Sequence, residues 1–280
     1  MKNFSMHCIC CLVVVLALTA CTPPSVDTGT AANPLRDFKE HIAVAEGPIE
    51  VKEYLDALME VGDTKSALDT ATADALVLEY LNYLEEFLMR DQEDLSNYPT
   101  QAGLKFAVGE GGDYPVIDYH FIDAYAGRVS REITDYAGFM ALDSDKPWAI
   151  DAGLVISPRQ LADRIALAER FAVGYPDSVL RDRVLEQYEY YLGAFLAGLP
   201  NTPLYPFETA KADSEFIDAY DYFAETYPDL ITAETVRDYQ VELKQKNYTA
   251  PYAYSDSEKR AEFSDHIYDL VQNALGRLNQ

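Results

Sequence analysis

Cysteine is nearly absent, and where it occurs it is crowded at one end: Cys8, Cys10, Cys11 and Cys21 are all of the cysteines in 280 residues. From Thr22 onward the chain can form neither a disulfide nor a thiolate metal site. Stability must come from a hydrophobic core, and 49% apolar and 12% aromatic residues are the composition of a globular domain able to build one. Basic residues are scarce as well, with 22 Lys and Arg against 47 Asp and Glu, a net charge of −25. No basic patch exists to neutralise phosphates, which excludes nucleic acid as a partner. Anionic wall polymers and lipid head groups are repelled for the same reason; attraction of divalent cations or of a basic partner is one reading of the excess acid, and a solvated surface that keeps a tethered domain soluble is the plainer one. Histidine is limited to His7, His41, His120 and His266, without a His-Glu-x-x-His pair, and Gly109, Gly111 and Gly112 are followed by Asp113 and Pro115 rather than by a phosphate-binding Lys-Ser. No cofactor and no metal is expected, and the balance is against an enzyme.

The longest apolar run, Ile9 to Leu18, is too short to span a bilayer stably and follows a positive Lys2. It ends in Leu18-Thr19-Ala20-Cys21, which resembles a bacterial lipobox. The resemblance implies that residues 1–20 are a lipoprotein signal peptide and that the Cys21 thiol carries a diacylglycerol, with a further acyl chain such as palmitate on the new amine. Two or three acyl chains make a firm membrane anchor. Cys8, Cys10 and Cys11 then serve as small apolar residues of the removed segment. Residues 21–34, rich in Pro, Thr, Gly and Ala, read as a flexible tether. The implied location is extracytoplasmic, lipid-anchored to the cell membrane or an outer membrane. An ordinary secretory signal in which Cys21 is incidental is the alternative.

Apolar residues recurring at three and four predict helices. Val51, Leu55, Leu58 and Met59 mark a short one ended by Gly62. Leu76, Tyr80, Tyr83, Leu84, Phe87 and Leu88 stripe a long one over about residues 71–90, broken by Asn97-Tyr98-Pro99. Residues 101–114 (QAGLKFAVGEGGDY) read as a glycine-rich loop. Pro115 suits a first helical turn, and Ile117, Phe121, Tyr125, Ile133, Tyr136 and Met140 then predict one helix to about Leu142. A second loop begins at Asp143 and holds the only Trp, Trp148. Ser157 to Gln160 is a capping box opening the next helix, with Leu161, Ile165, Ala168 and Phe171 buried.

A heptapeptide repeats, FAVGYPD at 171–177 and FAETYPD at 223–229, 52 residues apart. Each copy ends one helix and starts another: Pro176 and Pro228 disfavour helix at the preceding tyrosine, and Asp177 or Ser178, and Thr232, are the expected caps. Two breaker-rich connections, Gly198 to Phe207 and Asn247 to Tyr254, separate the helices that follow. A capping box from Ser255 to Glu258 opens the last helix, which buries Phe263, Ile267, Leu270, Val271 and Ala274. Residues 158–246 resemble tetratricopeptide-like helical hairpins, whose second helix often ends in an aromatic-x-x-x-Tyr-Pro-Asp turn, although the spacing of 52 departs from the 34 of that repeat. With no convincing alternation, strands are minor at most. The predicted fold is a single all-α domain over residues 35–280, an irregular array of antiparallel helix hairpins, either a tetratricopeptide-like right-handed solenoid or a bundle.

Two loops carry the candidate binding residues, Glu110 and Asp113 in the first and Asp143, Asp145 and Trp148 in the second, followed by Asp151. Together they would make an acidic cleft with an aromatic platform. A helix from Pro115 to Leu142, about 28 residues long, would hold its ends roughly 40 Å apart. Convergence therefore requires a break, for which Gly127 and Gly138 are the candidates. Asp143-Ser144-Asp145 begins like a calcium loop, but Trp148 stands where the sharp-turn glycine belongs and no Glu closes it. His120 can join Asp123 and Asp118 in a partial metal or acid–base cluster; a satisfied, half-buried histidine is the plainer reading. Tyrosine is abundant at 21 residues, and Tyr220, Tyr222, Tyr252 and Tyr254 suit stacking on sugars or gripping a peptide. A position at the core boundary with the hydroxyl in water is again the plainer reading.

The expected function is a membrane-anchored module that binds a protein or peptide partner in the cell envelope. The alternative is a glycan-binding or glycan-hydrolysing lipoprotein, with Glu110 and Asp113 as carboxylates some 5 to 9.5 Å apart.

Overall fold

The computed structural model describes residues 33–60, 68–90, 100–109 and 111–280. Every element named below belongs to the second of its two units, Pro34–Gln280. Cys21 with the signal and tether, Gly62, Asn97-Tyr98-Pro99 and Glu110 lie outside the described residues. The class is all-α as expected, with strands confined to three two-stranded hairpins among the described residues.

Three helices, α1 (Pro34–Ile42), α2 (Pro48–Glu60) and α3 (Thr70–Arg90), pack on one another. The latter two follow the predicted stripes, burying Val51, Leu55 and Met59 from α2 and Leu76, Tyr80 and Leu84 from α3. Helical periodicity does not announce α1, because Phe38 is its only buried residue and a single position has no period. The Tyr80 hydroxyl, deep in this core, donates to the Ala102 carbonyl at 2.6 Å and ties α3 to the segment that follows.

That segment differs from expectation. The predicted loop is a β-hairpin, β1 (Leu104–Gly109) antiparallel to β2 (Gly112–Ile117), in register from Leu104↔Ile117 to Gly109↔Gly112. Pro115 lies in β2 rather than in a helix; a two-stranded sheet leaves an edge at which no N–H donor is needed. The predicted helix from Pro115 to Leu142 is divided among β2, a 3-10 turn at Tyr119–Tyr125 and α4 (Arg131–Asp145). The 3-10 turn buries Tyr119, Ile122 and Tyr125 at intervals of three, which continues the apolar period of α4 and makes the two look like one helix. Between them runs a turn that contains Gly127, after which Ser130 caps α4. Gly138 stays inside α4 and breaks nothing. Asp143, Ser144 and Asp145 form the last turn of that helix, so no calcium-type loop begins there.

Two small hairpins then dock on each other. The first, β3 (Ala149–Ile150) with β4 (Gly153–Leu154), meets β5 (Gly198–Leu199) with β6 (Thr202–Pro203). The Leu154 N–H donates to Thr202 Oγ1 at 3.0 Å and the Asn201 N–H to the Ala152 carbonyl at 2.9 Å. Gly198 has φ 75°, and a Cβ there would collide with the Thr202 carbonyl.

The remaining helices are α5 (Pro158–Gly174), α6 (Arg181–Ala197), α7 (Ser214–Thr226), α8 (Ile231–Gln245) and α9 (Ser257–Leu278). The predicted Ser157–Gln160 capping box opens α5. Both heptapeptides end their helix alike, with the N–H of Tyr175 donating to the Phe171 carbonyl and that of Tyr227 to the Phe223 carbonyl, each at 2.9 Å. The starts of the next helices are held differently from expectation. Thr232 does not cap α8; the buried Glu169 carboxylate of α5 does, accepting from the N–H groups of Ile231 at 2.5 Å and Thr232 at 3.0 Å. Ser178 Oγ accepts from the Leu180 N–H just before α6, and Asp256, not Ser255, caps α9. Helix α5 is central: it packs on α4, α6 and α7, while α9 lies along α6 and α8. Among the described residues no helix is long and apolar enough to cross a membrane.

Candidate functional site

Dividing the expected long helix brings the two predicted loops together. Tyr114 and Pro115 of β2 and Tyr119 of the 3-10 turn, together with Met140 of α4 and Pro147 and Trp148 after it, line a cleft of ≈ 440 Å³. A neighbouring cleft of ≈ 420 Å³ at the hairpin tip has Asp113 on one side and Asp151 on the other. Gly109 permits this tip, since a Cβ there would fall 2.9 Å from the Tyr114 ring. Trp148 is held edge-on against Tyr191, with centroids 5.6 Å apart. Aromatic surface and two carboxylates thus line adjoining clefts that share Tyr114 and Ala149.

The other predicted acids are occupied. Asp143 pairs with the buried Arg164, which also donates to the carbonyls of Leu142 at 3.0 Å and Lys146 at 2.9 Å and so closes the C-terminus of α4. The second Asp143 oxygen accepts from the Tyr191 hydroxyl at 2.6 Å. Burial raises the Asp143 pKa, opposed by the Tyr191 and Arg164 hydrogen bonds. These contacts tie Asp143 to α5 and α6, while it also lines the cleft beside Trp148.

Asp145 points the other way, into a charged cluster on the hairpin. Its carboxylate takes the Lys105 ammonium and, at 3.0 Å, His120 Nε2, while His120 Nδ1 meets Asp123 at 3.2 Å. Lys105 also lies 3.4 Å from Asp118. The Asp145 and Asp123 contacts raise the His120 pKa, and the Lys105 and His120 contacts lower that of Asp145. Asp118, His120 and Asp145 place ligand atoms within 4.8 Å of one another, the spacing of a divalent cation site. A cation would have to displace Lys105, which already neutralises both carboxylates, and to meet a histidine biased toward its protonated form. The cluster fits an ionic clamp between β1, the 3-10 turn and α4 better than a metal centre.

The tyrosine candidates are largely spent on the fold. Tyr220 is fully buried and donates to the Phe195 carbonyl at 2.9 Å, contrary to its expected exposure. Tyr254 donates to the Tyr205 carbonyl at 3.0 Å, and Tyr252 packs on Phe263 with centroids 5.4 Å apart. Tyr222 and Tyr227 both give their hydroxyls to Asp163 of α5, at 2.8 and 2.6 Å.

The contact at Asp163 exposes a feature that the sequence by itself did not single out. Tyr175, the counterpart of Tyr227 in the first heptapeptide, gives its hydroxyl to Asp135 of α4 at 2.6 Å. Each heptapeptide tyrosine therefore clasps an aspartate on a neighbouring helix, Tyr175 at the end of α5 on α4 and Tyr227 at the end of α7 on α5, so that α4 packs on α5 and α5 on α7 with a groove at each junction. Both aspartates stand four residues after an arginine near a serine-capped helix start, Arg131 to Asp135 and Arg159 to Asp163, and that spacing was the signal available. One groove, of ≈ 590 Å³, runs between α4 and α5 past Arg131, Gly138, Leu167 and Arg170. The other, of ≈ 460 Å³, lies between α5 and α7 and presents Glu215, Asp218, Asp221 and Glu225 opposite Arg159. Arg159 stacks 4.4 Å from the Tyr222 ring and Arg170 5.1 Å from that of Tyr227. No family model, no curated protein and no solved structure matches this chain.

Proposed function

We propose that this protein is a lipid-anchored, extracytoplasmic binding module that offers the shared face of α4, α5 and α7 to a protein or peptide partner in the cell envelope. The observation that carries the reading is the pair of Tyr–Asp clasps, Tyr175 to Asp135 and Tyr227 to Asp163, which hold three helices in fixed order with a groove on either side of α5. Preformed grooves between helices accept a peptide without an ordering cost on the receptor side. The anchor rests on the lipobox-like Leu18 to Cys21, and the solenoid-like stacking of hairpins on the repeated heptapeptide. Two measurements on the full chain test this. Palmitate label should appear on the protein and vanish in Cys21→Ala. A photoreactive residue at Leu167 should cross-link to one envelope protein, while the same residue at the exposed Tyr268 on α9 should not. Equal cross-linking from both positions, or unlabelled wild-type protein, removes the reading.

A second reading is favoured by the convergence of Tyr114, Trp148, Asp113 and Asp151 at the hairpin: a platform for a neutral glycan. With Asp143 and Asp145 committed to Arg164, Lys105 and His120, this cleft suits binding rather than hydrolysis. Retention of neutral wall glycan that is lost in Trp148→Ala would support it, and equal retention by both proteins would end it.

A further inference from the structure

The face proposed to bind a partner consists of two grooves of opposite character, and the one between α4 and α5 specifies its occupant further. Leu167 stands in it 43% exposed, the only leucine so exposed among the described residues. Beside Leu167 the groove is widened by two glycines. A Cβ at Gly138, within α4, or at Gly174, at the end of α5, would meet nothing within 4 Å. A glycine inside a helix costs stability relative to alanine, and the packing of this chain gains nothing from the empty space at Gly138. The charges at the groove run against those of the molecule. In a chain of net charge −25, Arg131 and Arg170 line this groove, and its one acid, Asp135, is already engaged by Tyr175 at 2.6 Å and Arg131 at 3.3 Å. Among the described residues Arg170 has no carboxylate partner, only the Tyr227 ring. On the other side of α5, four acids line the second groove and would repel an anionic occupant.

We infer that the α4/α5 groove receives a peptide segment of a partner protein that carries a bulky apolar side chain next to acidic residues. The apolar side chain lies on Leu167 in the space above Gly138 and Gly174, and the carboxylates meet Arg170 and Arg131 with the bidentate geometry that guanidinium favours. The inference rests on the partner-binding reading above and narrows it.

The full chain, solubilised in mild detergent, is used to select from a displayed library of random short peptides, and an enriched peptide is then synthesised and titrated against variants. Enrichment of acidic residues beside aromatic or large aliphatic ones is expected, with affinity reduced at least tenfold in Gly138→Leu and in Arg170→Glu and unchanged in Tyr268→Ala on α9. Gly138→Ala separates binding from folding, since it should raise the melting temperature while weakening the peptide severalfold. Enrichment of basic peptides that are lost in Glu225→Lys would overturn the inference, placing the site in the α5/α7 groove and leaving the partner-binding reading intact. Acidic peptides that bind every variant equally would overturn it too, and a library yielding no enriched peptide at all would remove both.

Discussion

Glu169 is an acid set on the buried stripe of α5, four residues after Ile165, and it is only 1% exposed. Its carboxylate accepts two backbone N–H groups of α8 and, at 2.6 Å, the Thr232 hydroxyl, which in turn meets the Tyr188 hydroxyl at 2.6 Å. A negative charge at a helix N-terminus is favoured by the helix dipole as well as by these bonds. Glu169→Ala should therefore destabilise the fold by about 2 kcal/mol or more, because it removes a cap and leaves buried donors unpaired. Chemical denaturation measures this, and Glu169→Gln should lose less, because its one carbonyl oxygen still accepts part of these bonds. A loss below about 0.5 kcal/mol would mean that water replaces the carboxylate. An acid in an otherwise apolar stripe was visible in the sequence; that its partner lay 62 residues away was not.

At the scale of elements, local signals were legible where they closed within one turn. The Ser157–Gln160 box and the helix ends at Tyr175 and Tyr227 were readable because cap and capped group lie within four residues of each other. The β1–β2 hairpin was not readable, since Phe106, Val108 and Tyr114 are exposed on both of its faces and alternation marks a strand only where one face is buried. What fastens this hairpin to α4 is the clamp of Lys105, His120 and Asp145, and it should respond to pH. His120 has a raised pKa, so its contribution is complete below its unfolded value, about 6.5, and is lost as pH rises through the folded value. Asp145 has a lowered pKa, so its contribution is present above about 3.9 and is lost as pH falls through the folded value. Amide exchange in β1 and β2 should be slowest between roughly pH 4 and 6.5 once corrected for intrinsic rates, and the upper limb of that dependence should vanish in His120→Gln. Corrected exchange that ignores pH in the wild type would show that the cluster bears no load. The two clasps give a paired expectation. Tyr175→Phe and Tyr227→Phe should each cost about 1 kcal/mol, and similar losses by thermal denaturation would establish that the repeated heptapeptide performs one role twice.

The molecule as a whole is governed by its charge. Most of its ion pairs among the described residues are exposed and weak, as Arg36 with Asp37 and Arg90 with Glu86 are, so they offset little of the repulsion in a chain of −25. Raising salt from about 0.01 to about 0.5 M should shorten the screening length and raise the melting temperature by several degrees. A flat or falling melting temperature would mean that attractive pairs outweigh the repulsion. The same excess of acid makes the two arginines of the α4/α5 groove conspicuous, and they were not singled out in the sequence because their nearness depends on how α4 and α5 lie against each other.

Composition and periodicity alone determined the all-helical class, the sign of the surface, the lack of disulfides after Cys21 and most helix positions. These follow from residue type and from spacings of three or four along one segment. Tertiary structure decided that Asp113 and Asp151 line one cleft, that Asp143 pairs with Arg164 while Asp145 joins His120, and that grooves form between α4 and α5 and between α5 and α7. Those outcomes join residues tens of positions apart, and they turned on a short break near Gly127 within a segment whose apolar period continues unbroken, so no local pattern could carry them.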